Sequence, residues 1–118
     1  MVFNKGDIVR TSFNPVAGKE LQGEARPALV ITPKAFNQVG LSWIVPISQG
    51  GVHARVEGFA VSLAGTGLET QGVVLCNGIR NLDLNARSAT FVEKAPGYIV
   101  EEVMDIITAI LDAETPAT

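Results

Sequence analysis

The sequence predicts a mainly β domain with an α element: a small barrel or strongly bent sheet, closed on one side by a C-terminal amphipathic helix. Three observations carry this. Short runs of strand-forming residues recur from Asp7 to Lys94, separated by Gly, Pro and Asn breaks. One run, Pro27 to Thr32, is almost continuously apolar, as expected of a strand buried on both faces. After Pro96 the apolar period changes from strand-like to helical.

Taken in order, Lys5-Gly6-Asp7 is a turn signal before a first strand, Asp7 to Phe13, which Asn14-Pro15 ends. A polar loop, Gly18 to Pro27, leads into the second strand, Pro27 to Thr32. Pro33 suits the first turn of a short helix reaching Gln38 and ending near Gly40. The third strand is Leu41 to Ile47, whose internal Pro46 suggests a sheet edge or a bulge. Ser48 to Glu57 forms a second polar loop. Further strands are Gly58 to Leu63 and Gly72 to Cys76, the latter followed by the tight-turn pair Asn77-Gly78. Ile79 to Leu84 and Ala89 to Lys94 complete the β elements. Ile99, Val100, Val103, Ile106, Ile107, Ile110 and Leu111 then fall on one helical face, and Ala113 to Thr118 reads as a frayed tail.

A chain of 118 residues, 47% hydrophobic, reads as one domain spanning 1–118 with its own core. Cys76 is the only cysteine, which excludes an intrachain disulfide and a cysteine-rich zinc site. Its apolar setting indicates a buried thiol rather than a nucleophile. The start of the chain lacks a signal-peptide pattern, and no run is long enough to span a membrane. A cytoplasmic location is the expectation. The net charge of −3 divides unevenly: residues 96–118 carry −5 and residues 1–95 carry +2. A mildly basic body with an acidic tail is compatible with a nucleic-acid partner.

No Walker loop, dinucleotide fingerprint or zinc pattern is present. His53 is the only histidine, so a catalytic histidine pair within one chain is excluded, and a plain loop role suits it best. Composition alone makes the Gly18 to Pro27 loop a solvated connection. Arg26 nevertheless stands at its root, where the following strand can orient a guanidinium toward a phosphate. Glu20, in the same loop, is a candidate proton acceptor, and Ser48 and Gln49 offer further hydrogen bonds. Spacing is equally compatible with a surface ion pair of little energetic weight.

Gly6-Asp7-Ile8-Val9, Phe13-Asn14-Pro15, Gly18-Lys19-Glu20, Gly23 and Arg26-Pro27-Ala28-Leu29-Val30 resemble the start of a MazF/PemK-type toxin. The ordered match continues through Phe36-Asn37, Pro46-Ile47-Ser48-Gln49-Gly50-Gly51, Ala54-Arg55, Gly58-Phe59, Gly72-Val73-Val74, Asp83 and Ala86-Arg87. It covers nearly the whole chain and is nearest to the ChpB-like branch.

The resemblance implies an SH3-like (PemK/CcdB-type) barrel, a homodimer and a cognate antitoxin. It also implies cleavage of single-stranded RNA at short sequences without metal or cofactor. By the same resemblance Arg26 is a phosphate stabiliser and candidate acid, Glu20 a candidate base, and Lys19 a partial substitute for a histidine. Ser48, Gln49, Arg55, Phe59, Asn77, Arg80 and Arg87 are candidate substrate contacts. The chain departs from PemK-like members at Leu75 and Asn77, where those members carry an arginine and an aspartate as acid and base. A non-catalytic toxin of the same fold, poisoning a topoisomerase as CcdB-type toxins do, is therefore the alternative.

Overall fold

A computed structural model describes residues 1–14, 25–49 and 58–112. The chain runs β1 (Asp7–Thr11), β2 (Arg26–Val30), α1 (Lys34–Asn37), β3 (Ser42–Ser48), β4 (Ala60–Ser62), β5 (Val73–Leu75), β6 (Arg80–Leu82), β7 (Thr90–Lys94) and α2 (Gly97–Asp112). Each expected element is present, most of them shorter than the apolar run that signalled it. Among the described residues no helix is long and apolar enough to cross a membrane.

The architecture follows from β3, the longest strand. Along one side it pairs antiparallel with β2, setting Ala28, Leu29 and Val30 against Pro46, Val45 and Ile44. Along its other side it changes partner. Ser42–Ile44 pair with β6, whereas Ile47 and Ser48 pair with β5. β2 continues to β1 and β1 to β7; β5 continues to β4.

Pro46 is thus at neither a sheet edge nor a bulge, the two settings the sequence suggested, but in regular register with Ala28 in the middle of the sheet. The Trp43 carbonyl accepts from Ile31 and so faces the β2 side. By strand alternation the Pro46 nitrogen faces away from β2, at the gap where β6 has ended and β5 has not begun. No ladder bond is needed there, which is how a proline is tolerated inside a sheet. The gap is filled by Gly78, where an added Cβ would lie 3.0 Å from Pro46 Cγ and Cδ.

The SH3-like barrel is recognisable but open. β4 and β7 end the strand path, and no pairing joins them among the described residues. Side-chain packing closes the space instead. On one face Ile8, Leu29, Ile31, Val45 and Ile47 pack with Val61, Leu63, Val74 and Cys76 and with Ile99, Val103 and Ile107 of α2. On the other face Val9, Ala28, Val30, Ile44 and Leu82 pack with Phe3, Phe13 and Leu84. β2 contributes to both clusters, which explains its unbroken apolar character.

α2 begins after Pro96, whose carbonyl accepts from Ile99 and Val100. Ile99, Val103 and Ile107 recur every four residues on its buried side. The expected apolar face is wider than the buried one: Ile110 is 38% and Leu111 74% exposed.

Cys76 is fully buried, and loss of hydration, with a smaller contribution from the charge of Glu102, pushes its thiol from 9.0 up to about 11. The folded state therefore keeps the thiol neutral where the unfolded chain ionises it. Its contribution is complete below pH 9.0 and is lost as the pH rises from 9.0 toward about 11. Denaturant midpoints across that range should fall more steeply for the wild type than for Cys76→Ala. Iodoacetamide at neutral pH should label the native thiol far more slowly than the unfolded one.

Candidate active site

Three strands end around Thr11, Arg26 and Ser48, of which Thr11 and Arg26 form one row. Thr11 of β1 is the register partner of Arg26 in β2. β3 pairs with β2 as far as Pro46 against Ala28, and Ser48, two residues on, pairs with Val73 of β5. Val9, Thr11 and Phe13 alternate onto one face, and Val9 and Phe13 belong to the second core cluster. The row therefore stands at the margin of that cluster. Arg26 is half-buried, while Thr11 and Ser48 are buried.

The row stands at the end of the sheet where β1 leaves, β2 enters and β3 leaves. Segments 15–24 and 50–57, which contain Lys19, Glu20 and Arg55, join the chain here at Asn14, Ala25 and Gln49; these three candidates lie outside the described residues. Gln49 is exposed directly after β3. Asn77 is exposed in the turn beside Gly78, which packs on Pro46, two residues from Ser48. Phe59 is tied to the same turn, since its carbonyl accepts from Cys76. It also lines an open apolar depression with Gly58, Ile106, Ala109 and Ile110.

Arg80 and Arg87 reach the backbone just past Thr11. Arg80 Nη1 donates to the Phe13 carbonyl at 3.1 Å, and its guanidinium lies 5.7 Å from the Phe13 ring centroid. Arg87 Nη1 donates to the Ser12 carbonyl at 2.9 Å and to the Asn14 carbonyl. Arg10 Nη2 donates to the Ala25 carbonyl at 3.2 Å, just before Arg26.

Three positions were missed from sequence. Arg10 is one. Thr11 is another: its hydroxyl is buried with no hydrogen-bond partner among the described residues, a costly state for a polar atom. The alternation Val9, Thr11, Phe13 would have placed it beside Arg26 once the β1–β2 register was known. The third is Gly72, at a φ of +114°, where an added Cβ would lie 2.1 Å from the Ser48 carbonyl oxygen. The segment before Gly72 is pinned to β7. Burial acts to raise the Glu93 carboxyl, but hydrogen bonds from the Thr70 hydroxyl, the Thr70 amide and the Glu69 amide outweigh it and hold it below the usual carboxylate range.

Two substitutions probe this geometry. Gly72→Ala must take a strained backbone and push away the strand carrying Ser48, so it should destabilise by about 3 kcal/mol or more, read from denaturant unfolding. Thr11→Val should remove the unsatisfied hydroxyl and stabilise by about 1 kcal/mol in the same measurement.

Comparison with known proteins agrees with the fold. ChpB, named as an endoribonuclease toxin of Escherichia coli strain K12, is 44% identical over 110 residues, covering 93% of this chain and 95% of that protein. PemK of Escherichia coli, named as an endoribonuclease, is 45% identical over 108 residues, covering 91% of this chain and 80% of that protein. The crystal structure of MazF (Form-I) from Deinococcus radiodurans superposes with a TM-score of 0.81 at 36% identity, covering 94% of this chain and 97% of that one. A MazE-MazF structure (Form-III) from the same organism gives 0.80 at 33% identity, covering 97% and 100%. Residues 4–111 match the family model described as PemK-like, MazF-like toxin of type II toxin-antitoxin system, and the chain belongs to that family.

Proposed function

We propose that this protein is the toxin of a type II toxin–antitoxin pair and acts as a sequence-specific endoribonuclease on single-stranded RNA, without a metal ion. The observation that carries the reading is the placement of Arg26. It begins β2 opposite Thr11 of β1, at the end of the sheet from which the two polar segments depart and where β3 finishes at Ser48.

The chemistry asks little beyond positioning and charge. The ribose 2′-oxygen attacks the adjacent phosphorus, the new O–P bond forms, and the bond to the 5′-oxygen of the next nucleotide breaks. One proton leaves the 2′-hydroxyl and one is delivered to the departing oxygen. The guanidinium of Arg26 suits the developing charge on the non-bridging oxygens, since it carries planar donors and stays protonated. The Ser48 hydroxyl suits substrate positioning, and Glu20 is the candidate base, with Lys19 adding positive charge. Asn77 can hydrogen-bond a base edge but cannot serve as a general base, and Leu75 is buried and apolar. The acid–base work therefore falls to residues reached from the Arg26 end of the sheet rather than from the end of β5.

The MazE-MazF structures support a cognate antitoxin as partner, and we extend this to a homodimeric toxin. An acidic antitoxin segment would suit the same arginine-bearing surface as RNA. Relatives named as endoribonucleases at 44% and 45% identity favour RNA cleavage over the topoisomerase-poisoning alternative.

Purified protein should cut a sequence-diverse single-stranded RNA in the presence of a chelator. Arg26→Ala should lower the cleavage rate by about 100-fold or more with the fold retained by circular dichroism. Absence of cutting by the wild type would refute the enzymatic reading. Undiminished cutting by the variant would remove Arg26 from the chemistry.

A further inference from the structure

Arg80 and Arg87 invite assignment as phosphate contacts, being cations near an RNA site. Their hydrogen bonds point to another role. Between them they donate to three consecutive backbone carbonyls, Ser12, Phe13 and Asn14. These carbonyls directly follow Thr11, the register partner of Arg26, and directly precede the segment carrying Lys19 and Glu20.

Both arginines are themselves held. Arg80 starts β6 opposite Ile44 of β3 and lies over the Phe13 ring. Arg87 projects from a compact turn in which Asp83 Oδ1 accepts from the Ala86 amide and the Asp83 carbonyl accepts from the Arg87 amide. The turn then reverses through Ser88 at a φ of +54°, and the Ala89 amide returns to the Leu84 carbonyl. Its apolar residues Leu84 and Ala89 pack in the same cluster as Phe13. Two hydrogen-bonded elements therefore aim one guanidinium nitrogen each at one short stretch of backbone.

We infer that Arg80 and Arg87 are positioning residues, a two-arginine clamp that fixes the exit of β1 and so the geometry of the Thr11–Arg26 pair. The bonded nitrogen in each arginine is Nη1, and these bonds hold each guanidinium against the backbone just past Thr11. The clamp sets the alignment of the reacting groups, where small displacements are costly in rate. Its effect on turnover rests on the endoribonuclease reading; its structural part does not.

The test compares wild type, Arg80→Gln and Arg87→Gln. Turnover is measured on an RNA oligonucleotide containing a site mapped by fragment-end sequencing. Affinity is measured on the same oligonucleotide with 2′-deoxyribose at the attacking position, across roughly 50 to 200 mM salt. The clamp predicts kcat lower by about tenfold or more in each variant, with Kd and its salt dependence unchanged. Weaker binding, a salt slope reduced by about one per arginine and unchanged kcat would identify phosphate contacts and overturn the clamp. Unchanged kcat with unchanged Kd would overturn it equally.

Where a glutamine variant does not fold, Arg80→Lys and Arg87→Lys replace it. Retained charge without the planar fork should leave kcat low if the clamp holds, and near wild type if only charge matters. Amide hydrogen exchange at residues 11–14 separates the two readings. Should the wild type cut no RNA, the endoribonuclease reading alone fails. Faster exchange at these amides in the variants would still support the clamp, and unchanged exchange would overturn it.

Discussion

Most of the structure depends on the division of β3 between two partners. A strand of seven residues cannot give its whole length to both β5 and β6, so it gives Ser42–Ile44 to one and Ile47 and Ser48 to the other. Pro46 stands at the division and requires no donor there. The two short ladders diverge from this point, and the sheet bends around it. Packing between the diverging parts makes the larger core cluster, and α2 covers what the strands leave open. The same division places Ser48 at a strand end paired with β5, two residues past the last pairing with β2.

The fold was largely legible in the sequence because its signals are local. Pro27 to Thr32 looked doubly buried, and β2 does contribute to both clusters. Ile99, Val103 and Ile107 declared a helical face by spacing alone. Pro46 shows where local signals end. Proline in a strand usually means an edge, and only the change of partner along β3 makes an interior position harmless. Leu111 shows the same limit from the other direction. Helical phase put it on the apolar face, but how much of that face is covered is a tertiary property, and Leu111 is left exposed. Barrel closure was also beyond reach, since a run of strands does not say whether the first and last will meet.

The site was legible to a smaller degree, and the reason is register. Arg26 drew attention as a cation rooted on a strand, but its neighbours in space come from two other strands. Thr11 gave no signal of its own; it matters because β1 pairs with β2 in a register that sets it beside Arg26. Gly72 resembled any glycine ahead of a strand. Its role comes from the approach of its backbone to the Ser48 carbonyl, which leaves no room for a side chain. Such constraints become visible only when strands far apart in sequence are placed side by side.

Charge composition makes the same point in electrostatic terms. The body of the chain carries a small positive excess, and a count of cations treats each as a contributor to one attractive surface. The structure gives them unlike tasks. Lys94 bonds Asp7 and the Lys5 carbonyl, joining β7 to the start of β1. Arg10, Arg80 and Arg87 bond carbonyls on both sides of the 15–24 segment. Guanidinium groups suit this task because the fork can satisfy backbone oxygens that a strand leaves unpaired at its end. Arginines clustered near a site therefore cannot be counted as ligand contacts until their donors have been traced, and here the traced donors of these three lead back into the fold.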